Sequence, residues 1–386
     1  MSVCPCALAL FGVVLGIAKP PVGVHGSLPG SRAGVVASVP AEILLGGGIL
    51  LQARVNGSGP HTFALDSAGG SGFIVDARLA KTLGLALQGR ALSSGAGGNR
   101  VPVSFAKNVV LDLSGVVIRP RTVAVIDLAS LEPMSGRTVA GIVGYALFAR
   151  YVVEIDYAAH QVDLYRFDAY RYSGEGTSVP LLAEKEHYVS ARVRMPGRAP
   201  IDGKFMVDTG APMTTIAFST PFVERFRLLP DVKKRVVDRS FAGLGGETTQ
   251  VLGRVSELAF GDLRIRNATV TFAQDTAGTL ASADFAGIIG GELLRRFKVI
   301  FDPARRRLIL EPNGQFNEPY EHNMSGIALR VGTRGGTPTI HSIIAGSPAE
   351  EAGLKAGDEL EAIDGRPAPG FTLDALYEMF KKEGRE

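Results

Sequence analysis

Two aspartates stand at equivalent points of a chain of 386 residues. Asp66 ends the apolar run FALD and Asp208 ends the run FMVD, and small residues follow each of them. Two carboxyl groups that face each other closely share one proton, because like charges at that distance do not both ionise cheaply. The ionised group takes a proton from water while the protonated group polarises a peptide carbonyl. The pair therefore predicts hydrolysis of a polypeptide substrate, with no metal and no cofactor.

The residues beside the aspartates suit this arrangement. Ser67 and Thr209 carry hydroxyls that we expect to hydrogen-bond across the seam between the two turns. Gly210, followed by Ala211, leaves room where backbone must pass close by. Ala68 stands where the second copy has Gly210. Its added Cβ is either tolerated or crowds the other half, and in the second case the first half is inactive.

An internal duplication relates the two aspartates. Residues 140–156 read AGIVGYALFARYVVEID and residues 286–302 read AGIIGGELLRRFKVIFD, and they align without a gap. Between the aspartate and this block, each copy has a glycine-rich tip flanked by strand-like sequence, as in a mobile hairpin. These tips predict flaps that close over a substrate. The flap glycines are Gly95, Gly97, Gly98, Gly243, Gly245 and Gly246. A duplicated barrel without chemistry is the alternative.

Stretches rich in Val, Ile and Phe, bounded by Gly, Pro or Asn, predict strands throughout both copies. The predicted fold class is mostly β. It has two β half-lobes, at residues 42–170 and 180–312, each with one short helix late in the repeat. Because both halves lie in one chain, a dimer is not needed to bring the aspartates together, and we expect a monomer.

These motifs resemble the retropepsin-like aspartic proteases of the pepsin and retropepsin superfamily. The resemblance rests on residues 208–211 (DTGA) and 286–290 (AGIIG), with weaker twins at 66–68 (DSA) and 140–144 (AGIVG). It spans residues 42–312 and implies a duplicated retropepsin-like acid protease fold in a single chain, of a bacterial type. It also implies that the two aspartates form the dyad of an aspartic endopeptidase and that the glycine-rich tips are its flaps.

A second resemblance follows these repeats. Residues 347–358 (SPAEEAGLKAGD) resemble the bacterial PDZ domain, a small α+β module. The polar residues 313–325 predict a linker, and residues 326–386 predict the PDZ-like domain. Its carboxylate-binding loop would hold a peptide C-terminus in a groove beside a helix at residues 372–382. The loop residues are Gly326, Ile327, Ala328 and Leu329.

The PDZ-like domain is expected to be incomplete, because the sequence stops before the further strand that such a domain normally has. A groove that lacks one strand is hard to keep ordered. A purely structural cap on the protease is therefore the alternative to a peptide-binding module.

Residues 1–25 predict a signal peptide or apolar leader. The segment 7–18 (ALALFGVVLGIA) is apolar and uncharged, and is shorter than the about 20 residues that span a bilayer. No Lys or Arg precedes it, so a buried strand or a misassigned start is the alternative. Both cysteines, Cys4 and Cys6, lie in this leader. We expect an extracytoplasmic protein, periplasmic or secreted, with a membrane anchor only if the leader is uncleaved.

Other classes of function fit the sequence less well. The net charge of +3 gives no reason to expect a nucleic-acid partner, and the six histidines show no HExxH pattern. A serine protease with Ser67 as nucleophile needs an upstream histidine, and His61 lies too close to Asp66 to stand on a separate catalytic loop. The main alternative is a catalytically inactive protease fold that presents peptides through the PDZ groove, and Ala68 supports it.

Overall fold

The computed structural model describes residues 34–382 except 71, 183–185, 230–235, 239–241, 322 and 333–335. The predicted leader at residues 1–25 lies outside the described residues. Among the residues that are described, no helix has the length and apolar character needed to cross a membrane.

The first half-lobe consists of short strands and very short helices. Its elements are β1 (Val35–Ile43), β2 (Ile49–Val55), β3 (Ser58–Leu65), β4 (Phe73–Asp76), α1 (Ala77–Thr82), β5 (Leu87–Ser93), β6 (Val101–Ala106), β7 (Leu111–Leu113), β8 (Val116–Ile118), β9 (Val123–Ile126), α2 (Glu132–Ser135), β10 (Gly141–Val143), α3 (Tyr145–Phe148), β11 (Val152–Asp156) and β12 (Gln161–Tyr165). The half-lobe begins before the predicted residue 42, because β1 pairs with β12 from Val35 onward.

The second half-lobe repeats this order. Its elements are β13 (Thr177–Pro180), β14 (Tyr188–Arg194), β15 (Ile201–Val207), β16 (Ile216–Phe218), α4 (Thr220–Arg225), β17 (Val236–Asp238), β18 (Ala242–Gly243), β19 (Gly246–Glu247), β20 (Gln250–Arg254), β21 (Glu257–Phe260), β22 (Leu263–Arg266), β23 (Thr269–Ala273), β24 (Gly287–Ile289), α5 (Gly291–Leu294), β25 (Phe297–Asp302) and β26 (Arg307–Pro312). The helices predicted late in each repeat are α3 and α5.

Three further helices, α1, α2 and α4, lie earlier in the two copies and were not predicted from the sequence. Asp76 caps α1 by accepting a hydrogen bond from the Arg78 N–H at 3.0 Å. Pro221 stands in the first turn of α4, where its missing N–H costs nothing. Each helix has at most six residues, so it leaves little helical periodicity to detect.

Each copy places its aspartate-bearing strand beside the repeated block. β3 pairs in parallel with β10, and β15 pairs in parallel with β24. The registers match, because Leu65 lies opposite Val143 and Val207 lies opposite Ile289. β10 and β24 also pair antiparallel with β4 and β16. The predicted duplicated, mostly β fold is confirmed.

A sheet with three strands from each copy joins the half-lobes, in the order β1–β12–β11–β25–β26–β13. β11 and β25 meet antiparallel at its centre, with Val153 opposite Phe301. Both of these residues are fully buried. Burial of this apolar surface fixes the two copies against each other and so sets the separation of their aspartate turns.

The C-terminal domain is a small α+β unit. Its elements are β27 (Ile327–Val331), β28 (Pro338–Ile343), α6 (Pro348–Glu351), β29 (Ala362–Ile363), β30 (Arg366–Pro367) and α7 (Leu373–Phe380). Leu329, Ile340 and Leu376 form the centre of its core. Ser347 caps α6 by accepting a hydrogen bond from the Glu350 N–H. This α+β unit occupies the region predicted to be PDZ-like.

The linker at residues 313–325 is held against the second half-lobe by Arg296. The Arg296 guanidinium is fully buried and lies 3.7 Å from the centre of the Tyr320 ring. It donates to the carbonyl of Pro319 at 3.0 Å and pairs with Glu292 at 3.2 Å. A buried guanidinium that loses such partners is left uncompensated, so the linker is bound to one path along the second half-lobe.

Candidate active site

Each aspartate sits where its strand ends against the repeated block. The Asp66 N–H donates to the carbonyl of Val143 at 3.0 Å, and the Asp208 N–H donates to the carbonyl of Ile289 at 2.9 Å. These bonds continue the parallel ladders of β3 with β10 and of β15 with β24. β10 and β24 of the repeated blocks therefore support the two aspartate turns.

The glycines that directly follow β10 and β24, Gly144 and Gly290, allow each aspartate turn to pack closely against the block. A Cβ at Gly144 would lie 2.7 Å from the carbonyl oxygen of Gly69, in the turn after Asp66. A Cβ at Gly290 would collide with the carbonyl oxygen of Ala211, in the turn after Asp208. Glycine is needed at both places because backbone passes directly over them.

The hydroxyls of Ser67 and Thr209 tie the two turns together. The Ser67 N–H donates to Thr209 Oγ1 at 2.9 Å, and the Thr209 N–H donates to Ser67 Oγ at 3.0 Å. Ser67 Oγ donates to the carbonyl of Val207 at 2.8 Å, and Thr209 Oγ1 donates to the carbonyl of Leu65 at 3.0 Å. Both residues are almost completely buried, so these four bonds form a satisfied network that fixes the aspartates in register.

The carboxyl groups of Asp66 and Asp208 lie beside each other and interact directly. Burial raises the pKa of both, and the pKa of Asp208 is raised well above its usual range because ionised Asp66 also lies beside it. Asp66 accepts a hydrogen bond from the Ala68 N–H at 2.9 Å, and Asp208 accepts one from the Gly210 N–H at 2.8 Å. Each of these bonds favours the ionised form of its carboxyl group. The two carboxyls therefore titrate as a coupled pair that holds a single proton at intermediate pH.

The turns differ at the position that follows the hydroxyl residue. A Cβ at Gly210 would lie 2.6 and 2.7 Å from the two carboxyl oxygens of Asp66. Ala68, at the equivalent position, is 3% exposed and belongs to a buried apolar cluster of the second half-lobe with Met206 and Ile288. The Ala68 methyl therefore has apolar neighbours, and the backbone N–H bonds of the two turns remain equivalent.

The two predicted flaps meet at their tips. The first is the β5–β6 hairpin, and the second carries the β18–β19 hairpin. The Gly97 N–H donates to the carbonyl of Leu244 at 3.1 Å, and the Asn99 N–H donates to the carbonyl of Gly245 at 2.9 Å. A Cβ at Gly97 would lie 2.6 Å from the Gly246 nitrogen, so a side chain there would separate the tips.

The remaining flap glycines have different surroundings. The Gly95 carbonyl accepts hydrogen bonds from the N–H and Oγ1 of Thr279, at 3.1 and 3.0 Å, which attaches the first flap to the second half-lobe. A Cβ at Gly243 would lie 2.7 Å from the Ala96 Cβ. At Gly98 the nearest atom would be 3.4 Å away, an ordinary contact. A side chain is therefore better tolerated at Gly98 than at the other tip positions.

Two buried apolar clusters accompany the dyad and the flaps. One lies in the first half-lobe and includes Leu50, Ile74 and Ile142, and Leu244 from the opposite flap packs into it. The other lies in the second half-lobe and is the cluster that receives Ala68. Each half-lobe therefore has one buried apolar cluster that also receives a residue of the opposite half, Leu244 in the first and Ala68 in the second.

Comparison with known families decides what this arrangement is. A model of the aspartyl protease family matches residues 51–147 and 191–293. The two matches cover more than half of the chain, and each contains one aspartate of the pair. The chain belongs to the aspartyl protease family. Its retropepsin-like duplication is the feature that gives this aspartyl protease both aspartates in a single chain.

The other comparisons concern the C-terminal domain and one curated protein. A PDZ domain model matches residues 339–386, which confirms a C-terminal PDZ domain. Over 133 residues the chain is 25% identical to the carboxy-terminal processing protease CtpA of Bacillus subtilis (strain 168). The similar stretch is 34% of this chain and 28% of CtpA, so the chain matches little more than a quarter of that relative's length.

The predicted carboxylate-binding loop lies at the start of β27 in this family member. Gly326 adopts a φ of +75°, and a Cβ there would collide with Ser347. Ile327, Ala328 and Leu329 are all buried. The loop is thus part of the packed domain and lies far along the chain from the dyad, in a separate unit.

The sequence reasoning missed His187 beside the dyad. Its ring is 3% exposed, and Nδ1 lies 3.2 Å from the carbonyl oxygen of Ser67. Burial lowers the pKa of His187 to about 4, so the ring is neutral at mild pH. Leu244 was also missed, although an apolar residue between flap glycines is a usable signal. A lone histidine before a strand offers no comparable signal.

Proposed function

We propose that this chain is an aspartic endopeptidase that cleaves peptide bonds with water activated between Asp66 and Asp208. One observation supports this most strongly. The two carboxyls are buried and interact directly across the seam, on turns held by the Ser67 and Thr209 network. Such a pair shares one proton and can supply a base and an acid at once.

The two carboxyls have different roles in the proposed reaction. Asp66 is the ionised member, because burial and the neighbouring Asp66 charge raise the pKa of Asp208 well above its usual range, so Asp66 accepts a proton from the attacking water. Asp208 carries the shared proton and hydrogen-bonds the scissile carbonyl oxygen, which polarises the carbon for attack. When the C–N bond breaks, Asp66 passes the proton taken from water to the amine product, and Asp208 regains the shared proton. The peptide lies extended beneath the joined flap tips, which exclude bulk water.

The test is cleavage of unfolded casein and of a mixed peptide library between pH 3 and 7, with and without pepstatin. We expect the wild type to cleave, pepstatin to inhibit, and Asp208→Asn to lose at least about 1000-fold in kcat/KM, because a catalytic carboxyl typically contributes that much. The matched control is Asp202→Asn on the same strand, whose exposed carboxyl pairs with Arg192 at 2.7 Å. Cleavage that survives Asp208→Asn would contradict the proposal.

An inactive protease fold that presents peptides is the second candidate. Its supporting observation is Ala68, at a position where the second copy has glycine. A folded wild type that cleaves nothing at any pH, and that remains inactive as Ala68→Gly, would favour it.

We also propose that the protein is exported as a monomer and acts outside the cytoplasm. Cell fractionation and sedimentation velocity test these two statements.

A further inference from the structure

A PDZ domain receives a peptide in the groove that here lies between β27 and α7. Side chains of the domain itself already accept hydrogen bonds from β27 in this groove. The Leu329 N–H donates to Tyr377 Oη at 2.8 Å, so this strand N–H is already bonded. The Ile327 N–H donates to Ser325 Oγ at 3.1 Å. A peptide that adds to a strand edge needs such N–H groups. Binding there would first require Tyr377 and Ser325 to give up these bonds.

The first half-lobe packs over one end of this groove. α2 lies against β27. A Cβ at Gly136, just after α2, would meet Val331 at 3.4 Å and Leu373 at 3.9 Å, which is ordinary packing distance. Val331 ends β27 and Leu373 begins α7, so this part of the protease covers the end of the groove that is farthest from Gly326.

A turn of the first half-lobe also contacts α7. Residues 45–47 form a short 3-10 turn, and Leu45 packs against the PDZ core. The Leu45 N–H faces the carboxyl of Asp374 on α7 and lowers the pKa of that carboxyl, whereas burial raises it. Asp374 is partly buried, so it lies within the interface. The turn therefore meets the PDZ domain through an apolar contact and an electrostatic one.

The same turn contacts the loop that follows Asp208. The Met213 N–H donates to the carbonyl of Gly46 at 2.9 Å. A Cβ at Gly47 would lie 2.9 Å from the Cα of Gly291, so the turn also fits closely against the start of α5. The contacts run from α7 to the 45–47 turn and from there to residues 208–213. The PDZ domain is thus connected, through the 45–47 turn, to the loop that follows the catalytic carboxyl of Asp208.

We propose that the partner of the PDZ groove is this chain's own first half-lobe, and that the domain positions the Asp208 loop through the 45–47 turn. Leu45 and Asp374 are the positioning residues. A second contact agrees with this role, because His341 on β28 lies 3.2 Å from Glu247 of the second flap. The kinetic part of this inference rests on the proposed endopeptidase function, and the docking part does not.

The docking part is tested in the Asp208→Asn background, where catalysis is not needed. Amide hydrogen exchange is measured on the full chain carrying Asp374→Ala, Asp374→Asn or Glu378→Ala. The asparagine keeps an oxygen that faces the Leu45 N–H, and Glu378 lies on the same helix but is exposed and pairs with Lys381. We expect Asp374→Ala to raise exchange at Leu45 and Met213 by about tenfold, as expected for a local opening, and the other two variants to leave it unchanged.

Peptide binding gives an independent measurement on the same proteins. The probe is a fluorescein-labelled pentapeptide ending in Val with a free carboxylate, and its C-terminal amide is the control. We expect Asp374→Ala to bind the carboxylate peptide about tenfold more tightly than the parent, because the closed groove reduces apparent affinity. Unchanged exchange at Leu45 and Met213 would overturn the docking, and so would a parent that binds the peptide as tightly as Asp374→Ala.

The kinetic part is tested in the chain with both aspartates intact. Asp374→Ala is expected to lower kcat about threefold to tenfold with KM nearly unchanged, because a small displacement of a catalytic loop weakens the reaction more than binding. Asp374→Asn should restore the wild-type kcat. An unchanged kcat together with raised exchange would overturn the positioning role. A chain with no activity in any variant, but with the expected exchange, would contradict the proposed function and leave the docking intact.

Discussion

The two aspartate turns have the same backbone and different side chains. The first reads Asp-Ser-Ala-Gly and the second reads Asp-Thr-Gly-Ala, so each turn has one glycine and one alanine in opposite order. A Cβ at Gly210 would lie against the Asp66 carboxyl, and a Cβ at Gly69 would lie 2.8 Å from the same group. Both close approaches therefore involve the Asp66 carboxyl. The Asp208 carboxyl is not among the nearest neighbours of a Cβ at Gly69 or Gly210.

This difference indicates which positions of the two turns have room for a methyl group. The Asp66 carboxyl is enclosed by Gly69 and Gly210, one from each turn. Ala68 and Ala211 are the residues that carry methyl groups, and both belong to or pack against the apolar cluster of the second half-lobe. The departure of Ala68 from the family pattern therefore places a methyl group in the apolar cluster of the second half-lobe.

The largest effect is expected for Gly210→Ala. The new methyl would lie 2.6 Å from an Asp66 oxygen, so one turn must move. We expect kcat/KM to fall by about 100-fold or more, since small misplacements of catalytic groups cost that much. Steady-state cleavage of a fluorogenic peptide measures it. Gly314→Ala is the control, because no atom lies within 4 Å of a Cβ there. A Gly210→Ala variant with wild-type kcat/KM would contradict the need for glycine beside the Asp66 carboxyl.

The next effect concerns His187, whose ring nitrogen Nδ1 lies 3.2 Å from the Ser67 carbonyl of the first turn. Its pKa is lowered to about 4 by burial, so between pH 6.5 and 4 the unfolded chain binds a proton that the folded chain does not. Stability should therefore fall by about 3 kcal/mol as the pH drops through that window, at about 1.4 kcal/mol per pH unit. Urea unfolding at pH 7 and pH 4 measures this change. His187→Gln should remove most of it, and His160→Asn, at an exposed position, should not.

A smaller effect distinguishes the two aspartates by stability. The folded pKa of Asp208 is raised, so its ionisation opposes folding above the ordinary carboxyl range, and this cost disappears below the unfolded pKa. Asp208→Asn should therefore stabilise the protein at pH 7. Asp66→Asn should stabilise it less, because the pKa of Asp66 is raised less than that of Asp208. Thermal unfolding at pH 7 and pH 3 checks both. A larger gain for Asp66→Asn would reverse the proton assignment.

The smallest effect on activity is expected for Ala68→Gly. Removing a buried methyl and adding backbone freedom should cost about 1–2 kcal/mol of stability. Because the methyl lies in the apolar cluster, kcat/KM should change by less than about threefold, a shift below 1 kcal/mol. Urea unfolding and steady-state kinetics measure the two quantities. A rise in kcat/KM above tenfold would show that Ala68 crowds the dyad after all.

Much of this architecture follows from the repeated sequence. The blocks at 140–156 and 286–302 are enough to predict two equivalent β half-lobes, and FALD and FMVD place Asp66 and Asp208 at matching strand ends. The reciprocal bonding of Ser67 and Thr209 follows from the same symmetry. Their catalytic role stays a prediction, because geometry alone does not measure turnover.

Other features depend on contacts that the repeat does not encode. The sequence shows an alanine at position 68 but not that its methyl lies among Met206 and Ile288. His187 reaches Ser67 over 120 residues of chain, and Leu45 reaches Asp374 over a still longer stretch. Such contacts arise from packing between distant segments, where the two copies have diverged, so only the folded structure identifies them.

The central claim is that the two turns form one dyad with a single shared proton. Its most direct test is the pH dependence of kcat/KM for one peptide substrate between pH 2 and 8. The account predicts a bell-shaped profile, lost on the acid side as Asp66 is protonated and on the basic side as Asp208 ionises, with the basic limb above the ordinary carboxyl pKa. A profile that rises through one ionisation and stays level to pH 8 would contradict it.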